Sequence, residues 1–203
     1  MKLSENHADL LKETLNLGVG AAADALSEIA GGEEIILTVP QLQLMSTAQL
    51  ARQVCDVSGE EICSVTETFR GPFSGKAMML YSQRESLELV RLMLGDMIPV
   101  EQIREMEGEA LCEVGNIVLN ACLASLADMI GSELQTDIPE LKVGQIEQVL
   151  SLEDEEHSIL YLRMDFTMAR HNLQGHIGFV FDLDSVTALI ACLENYLKSI
   201  FEI

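Results

Sequence analysis

The chain repeats itself, and that repetition limits the possible folds more than any single motif does. Residues 10–31, LLKETLNLGVGAAADALSEIAG, lie over 110–131, ALCEVGNIVLNACLASLADMIG, with a shift of 100. The identical pairs are Leu11/Leu111, Glu13/Glu113, Asn16/Asn116, Ala21/Ala121, Leu26/Leu126 and Gly31/Gly131. Further on, VPQLQL at 39–44 answers IPELKV at 138–143, and Gly75 answers Gly175. SLELVRLML from Ser86 answers SVTALIACL from Ser185. Four matches in one order imply a single domain made of two tandem repeats, about 9–100 and 109–200.

Each repeat reads alike. A long helix opens it, over 5–30 and again over 101–131, with Gly31 and Gly131 as stops. Extended runs follow at 34–45, 53–57, 61–69 and 73–82, then at 136–150, 158–170 and 173–181. An amphipathic helix closes each half, near 84–95 and 183–197. Pro40 and Pro139 fall inside extended runs, which predicts edge or bulged strands there. The stretch GVGAAADA in the first helix allows another backbone to approach closely. The expected class is α+β: an antiparallel sheet with long helices packed on it, related by a pseudo-two-fold axis. The acidic run at 153–157 reads as a solvated turn.

Composition excludes several functions. Lys and Arg number 12 against 33 Asp and Glu, a formal charge of −21. Such a surface repels phosphate backbones and anionic lipid, so neither nucleic acid nor a membrane is an expected partner. A protein partner should offer a neutral or basic patch. With 4% aromatics and no Trp, the core is expected to be packed from Leu, Ile, Val, Ala and Met. Five cysteines without a CxxC pair suit a reducing compartment. The charged N-terminal segment is unlike a signal peptide, and the apolar run 110–130 carries Glu113, Asn116, Asn120 and Asp128. A cytoplasmic protein is expected.

Positions three and four apart share a helix face. Asp9, Glu13 and Asn16 therefore form one polar stripe, and Glu109, Glu113 and Asn116 form its equivalent, each among apolar or small neighbours. A single such stripe is most simply the wet side of an amphipathic helix. Solvent contact would accept Lys, Gln or Ser equally well, so recurrence of both Glu and Asn points to chemistry. No Ser, Cys or His is arranged as nucleophile and base, and the four histidines read as surface or turn residues. Paired di-metal helices use Glu-x-x-His, and Asn is a weak ligand, so no intrinsic metal is expected. An amide does orient water well. That suffices when the electrophile is already activated, as in an acyl-phosphate, and Gln in GTPases works by the same logic.

The motifs resemble those of the CheC/CheX/FliY family of response-regulator phosphatases, whose pattern is an acidic or Ser residue, x3, Glu, x2, Asn, x22, Pro. The second copy reads Glu109-x3-Glu113-x2-Asn116-x22-Pro139, and the first reads Asp9-x3-Glu13-x2-Asn16 with Pro40 one residue late. Two copies in about 200 residues are similar to the CheC form of the family, over essentially the whole chain. The resemblance implies that Asn16 and Asn116 enter a CheY-like receiver and orient water toward its aspartyl-phosphate. Glu13 and Glu113 would contact the receiver's active-site Lys, Asp9, Glu109, Pro40 and Pro139 would serve binding, and Mg²⁺ would sit on the partner. The receptor deamidase CheD is implied as a second partner. Leu15 replaces the usual Gly before Asn and would crowd the first site, which ranks the second as stronger. The competing readings are a non-catalytic module docking a receiver or CheD, and a structural protein whose duplication serves only folding.

Overall fold

In the computed structural model, residues 3–54, 61–94, 100–150, 158–168 and 171–201 are described. The chain runs α1 (Glu5–Ile29), β1 (Ile35–Met45), α2 (Thr47–Val54), β2 (Glu61–Arg70), β3 (Gly75–Ser82) and α3 (Gln83–Leu94). It continues with α4 (Val100–Ile130), β4 (Gln135–Thr136), β5 (Glu140–Gln145), α5 (Ile146–Leu150), β6 (Ser158–Met168), β7 (His171–Phe181) and α6 (Leu183–Phe201). All strands pair antiparallel in the order β1-β6-β7-β3-β2, with β4 and β5 sharing the far edge of β2. The fold is α+β. The strands that follow the long helix of each half lie against the other half's hairpin, β1 on β6 and β4 and β5 on β2. Neither half therefore has a complete sheet of its own.

The two long helices end as their glycines predict. Gly31 (φ 75) and Gly32 (φ 89) turn the chain after α1, and the Gly32 N–H reaches the Ser27 carbonyl at 2.8 Å. Gly131 (φ 64) does the same after α4, with Ser132 N–H on Ala127 O at 3.1 Å. Positive φ is accessible to Gly without steric cost, so the last carbonyls are satisfied cheaply. Both helices bury the same face: Leu11 and Leu111, Val19 and Leu119, Leu26 and Leu126 are all essentially inaccessible. Thr14 Oγ1 donates to Met129 Sδ at 3.3 Å, while a Cβ on Gly18 would fall 2.9 Å from Ala121 O and Cys122 Cα. The helices thus cross antiparallel at backbone contact, the close approach that the Gly/Ala run allows.

Residues Glu105–Ile130 of α4 are long and apolar enough to cross a membrane, with hydropathy 1.6. Here that stretch is the central core helix, packed on α1, α3 and the sheet. A smaller core on the opposite sheet face is closed by α2 and α5 through Leu50, Val54, Ile146 and Val149.

Four expectations need correction. Gln53 and Val54, expected in a strand over 53–57, end helix α2, and residues 55–57 lie outside the described ones. Ser46 and Gln49 cap that helix reciprocally, Ser46 N–H to Gln49 Oε1 at 2.9 Å and Gln49 N–H to Ser46 Oγ at 3.4 Å. The run 136–150 is broken at 137–139 and turns helical at Ile146. His7 and His176 are buried rather than superficial, His176 sharing a 2.8 Å hydrogen bond with Tyr161 OH. The scarce aromatics sit in the core: Phe69, Phe73, Phe179 and Phe181 meet at 6.0–6.5 Å, mostly edge to face. The acidic run at 153–157 lies outside the described residues.

Candidate functional site

Both stripes face outward beside the α1–α4 crossing. Asp9, Glu13, Glu109 and Glu113 are exposed, and Asn16 and Asn116 are half-buried. The crossing sets Asn16 roughly level with residue 125, so the two amides are about 14 Å apart along the helix axes. Leu15 is fully buried and points into the core, so it does not crowd the first site. Its counterpart Gly115 serves packing instead: a Cβ there would fall 2.5 Å from Val65 Cγ1.

At the first site the Asn16 carbonyl is held by backbone. The β1–β6 register shifts between Thr38 and Gln41, leaving Val39 and Pro40 opposite the single residue Met164. Proline has no N–H to give the ladder, and the bulge frees its neighbour's amide. Val39 N–H then donates to Asn16 Oδ1 at 2.9 Å. Pro40 thus acts on Asn16 through the backbone geometry of β1.

At the second site the same task falls to a side chain. Pro139 lies in the break between β4 and β5, where Ile138 is 86% exposed. Asn120, one turn beyond Asn116, donates from Nδ2 to Asn116 Oδ1 at 2.8 Å. Thr136 Oγ1 of β4 donates to Asn120 Oδ1 at 3.1 Å, and Glu67 Oε1 of β2 lies 3.5 Å from Asn120 Nδ2. Glu67 sits on the inward face of β2 between Val65 and Phe69, completely inaccessible. Burial pushes its carboxyl up to about 7, and Oε2 has no hydrogen-bond partner. The break is pinned from outside by Arg70 and Asp137, paired at 3.0 Å through both nitrogens.

Both amides end in one orientation. Oδ1 is tied inward, and Nδ2 makes no hydrogen bond to a described residue. Each oxygen keeps a second lone pair. Two N–H donors and one acceptor site therefore remain at each stripe, a helical turn from a carboxylate. Glu109, Glu113, Asn116 and Pro139 all line one groove of about 620 Å³, whose remaining walls are Leu94, Met106, Ala110 and Cys112. Among the described residues no three His, Cys, Asp or Glu side chains come together as a metal would require. Asn120, Glu67 and Thr136 are absent from the motif-based site. Sequence signals exist for two of them: Asn120 shares the Asn116 face at i+4, and Glu67 is a charge in the inward phase of an apolar strand.

No family model matches the chain. Its fold is that of Thermotoga maritima FliY, at TM-score 0.77 and 17% identity, covering 97% of this chain and 100% of that one. It is also that of FliM in the H. pylori FliG–FliM complex, at TM-score 0.70 and 8% identity, covering 93% and 100%. In fold and over its full length the chain is similar to chemotaxis proteins of the CheC/CheX/FliY type. Within it the likeness is to the CheY-P phosphatase CheC of Bacillus subtilis (strain 168), 24% identical over 201 residues, 94% of this chain and 95% of that protein.

Proposed function

We propose that the chain is a cytoplasmic phosphatase that removes phosphate from the aspartyl-phosphate of a CheY-like receiver, working as one domain of two equivalent halves. One observation carries the reading. Two helix stripes, held by unrelated donors, both turn the Nδ2 of an asparagine outward beside an exposed glutamate. Asn16 or Asn116 donates an N–H to the attacking water or a phosphoryl oxygen, and the spare Oδ1 lone pair accepts a water proton. The water oxygen bonds to phosphorus as the phosphorus–carboxylate bond breaks, releasing inorganic phosphate and a free aspartate. Mg²⁺ on the receiver balances the phosphoryl charge, and Glu13 or Glu113 pairs with a receiver cation to fix the docking geometry. Asp9, Glu109, Pro40 and Pro139 complete the contact surfaces.

The test is phosphate loss from a phosphorylated receiver with Mg²⁺. The pair Asn16→Ala and Asn116→Ala should slow hydrolysis by on the order of 10²-fold. An unchanged rate ends the proposal. A second reading is a non-catalytic module that docks a receiver or the deamidase CheD. The likeness to FliM, seen in complex with FliG, favours it, because that shared fold engages a partner protein. Receiver binding that survives the double change, with no hydrolysis by the parent, would establish that reading instead.

A further inference from the structure

The second site is built around a side chain that can be turned either way. An asparagine amide presents an acceptor at one end and a donor at the other, and Asn116 can face Asn120 with either. Which end it offers depends on Asn120, which in turn meets the Glu67 carboxyl and the Thr136 hydroxyl. Glu67 Oε1 lies 3.5 Å from Asn120 Nδ2, and in its ionised form this carboxylate only accepts, which calls for Nδ2 on its side. Thr136 supplies a hydroxyl donor to Asn120 Oδ1 at 3.1 Å. Nδ2 then faces Asn116 Oδ1 at 2.8 Å and leaves the Asn116 N–H pair toward the groove. The first half has Gly20 at the corresponding position, with nothing within 4 Å of where a Cβ would stand. There the Val39 backbone N–H, which cannot be an acceptor, imposes the same orientation.

We propose that Asn120 is a positioning residue for Asn116, held by Glu67 and Thr136 so that the Asn116 amide presents its N–H groups to the groove. Asn120 does not reach the partner; it acts through Asn116. The kinetic arm of the test rests on the phosphatase reading, and the spectroscopic arm does not.

Both arms use the full chain carrying Asn16→Ala, so that the second site alone reports, and Glu67→Gln, which keeps an acceptor for Asn120 Nδ2 and leaves no second carboxyl beside residue 120. Asn120→Asp replaces the donor by an acceptor, and the Asn116 amide should rotate to donate to it, turning Oδ1 toward the groove. Turnover of a phosphorylated receiver should fall about tenfold or more, with KM for the receiver unchanged. Asn120→Ala, which leaves the amide free to take either orientation, should give a smaller fall. In the side-chain amide NMR spectrum, Asn116 Nδ2 protons should exchange freely in the parent and more slowly in Asn120→Asp, where they are engaged. Equal exchange in parent and Asn120→Asp overturns the assignment, as does equal turnover in all three proteins. If the Asn16→Ala parent hydrolyses nothing, the phosphatase reading of this site fails, while the exchange comparison still decides the positioning.

Discussion

Replacing Glu67 by Gln should make the protein more stable, and only on the alkaline side. Glu67 is wholly inaccessible and its Oε2 has no partner, so ionising it in place is costly. Its carboxyl rises from 4.5 to about 7 on burial alone. A folded-state value above the unfolded one means the protonated form fits the native state. The stability it contributes is complete below pH 4.5 and is lost as pH rises through 7. At 1.36 kcal/mol per pH unit, the loss comes to roughly 3 kcal/mol. Gln keeps the shape and an acceptor for Asn120 without a titrating proton. Urea unfolding of both proteins from pH 5 to pH 8.5 measures the difference, and other carboxylates cancel in the comparison. The Gln variant should gain on the parent through the window and hold a constant lead above it. A stability difference that is the same at pH 5 and pH 8 would refute the assignment of a neutral buried acid.

The glycines of α1 make a second, opposed pair of predictions. Gly18→Ala drives a Cβ into backbone atoms of α4 and should cost about 1–3 kcal/mol in urea unfolding. Gly20→Ala, two residues on, meets nothing and should stabilise by roughly 0.5–1 kcal/mol through helix propensity. Removing the α2 cap with Ser46→Ala should cost about 1 kcal/mol, read as a lower midpoint in thermal unfolding. The buried pair of Tyr161 and His176 offers a last check: Tyr161→Phe leaves an imidazole nitrogen without that partner and should cost ~1–2 kcal/mol in the same assay.

Much of the architecture was legible because it rests on local periodicity. The two long helices, their glycine stops and the β2–β3 hairpin follow from residues that are neighbours in sequence. Edge placement at Pro40 follows from a missing N–H, which no tertiary arrangement can restore. The stripes were legible for the same reason, since Glu13 and Asn16 share a face in any α-helix. The short helices over Thr47–Val54 and Ile146–Leu150 were not read, because the apolar pairs Leu50/Val54 and Ile146/Leu150, each four apart, also fit an extended run. Only the uncovered second face of the sheet selects the helical form, by burying Leu50, Val54, Ile146 and Val149 together.

What the chain alone determined is the inventory: two carboxylate–amide stripes on two rods, and a proline after each. What only tertiary structure decided is how each amide is held. The β1–β6 pairing makes Pro40 a bulge opposite apolar Met164, so a backbone N–H reaches Asn16. The break between β4 and β5 lies across from Glu67 and Thr68 of β2, and there Asn120 holds Asn116 instead. The physical reason is distance along the chain. Asn120 and Glu67 are separated by 53 positions, and no local periodicity relates groups that meet only when strand and helix pack.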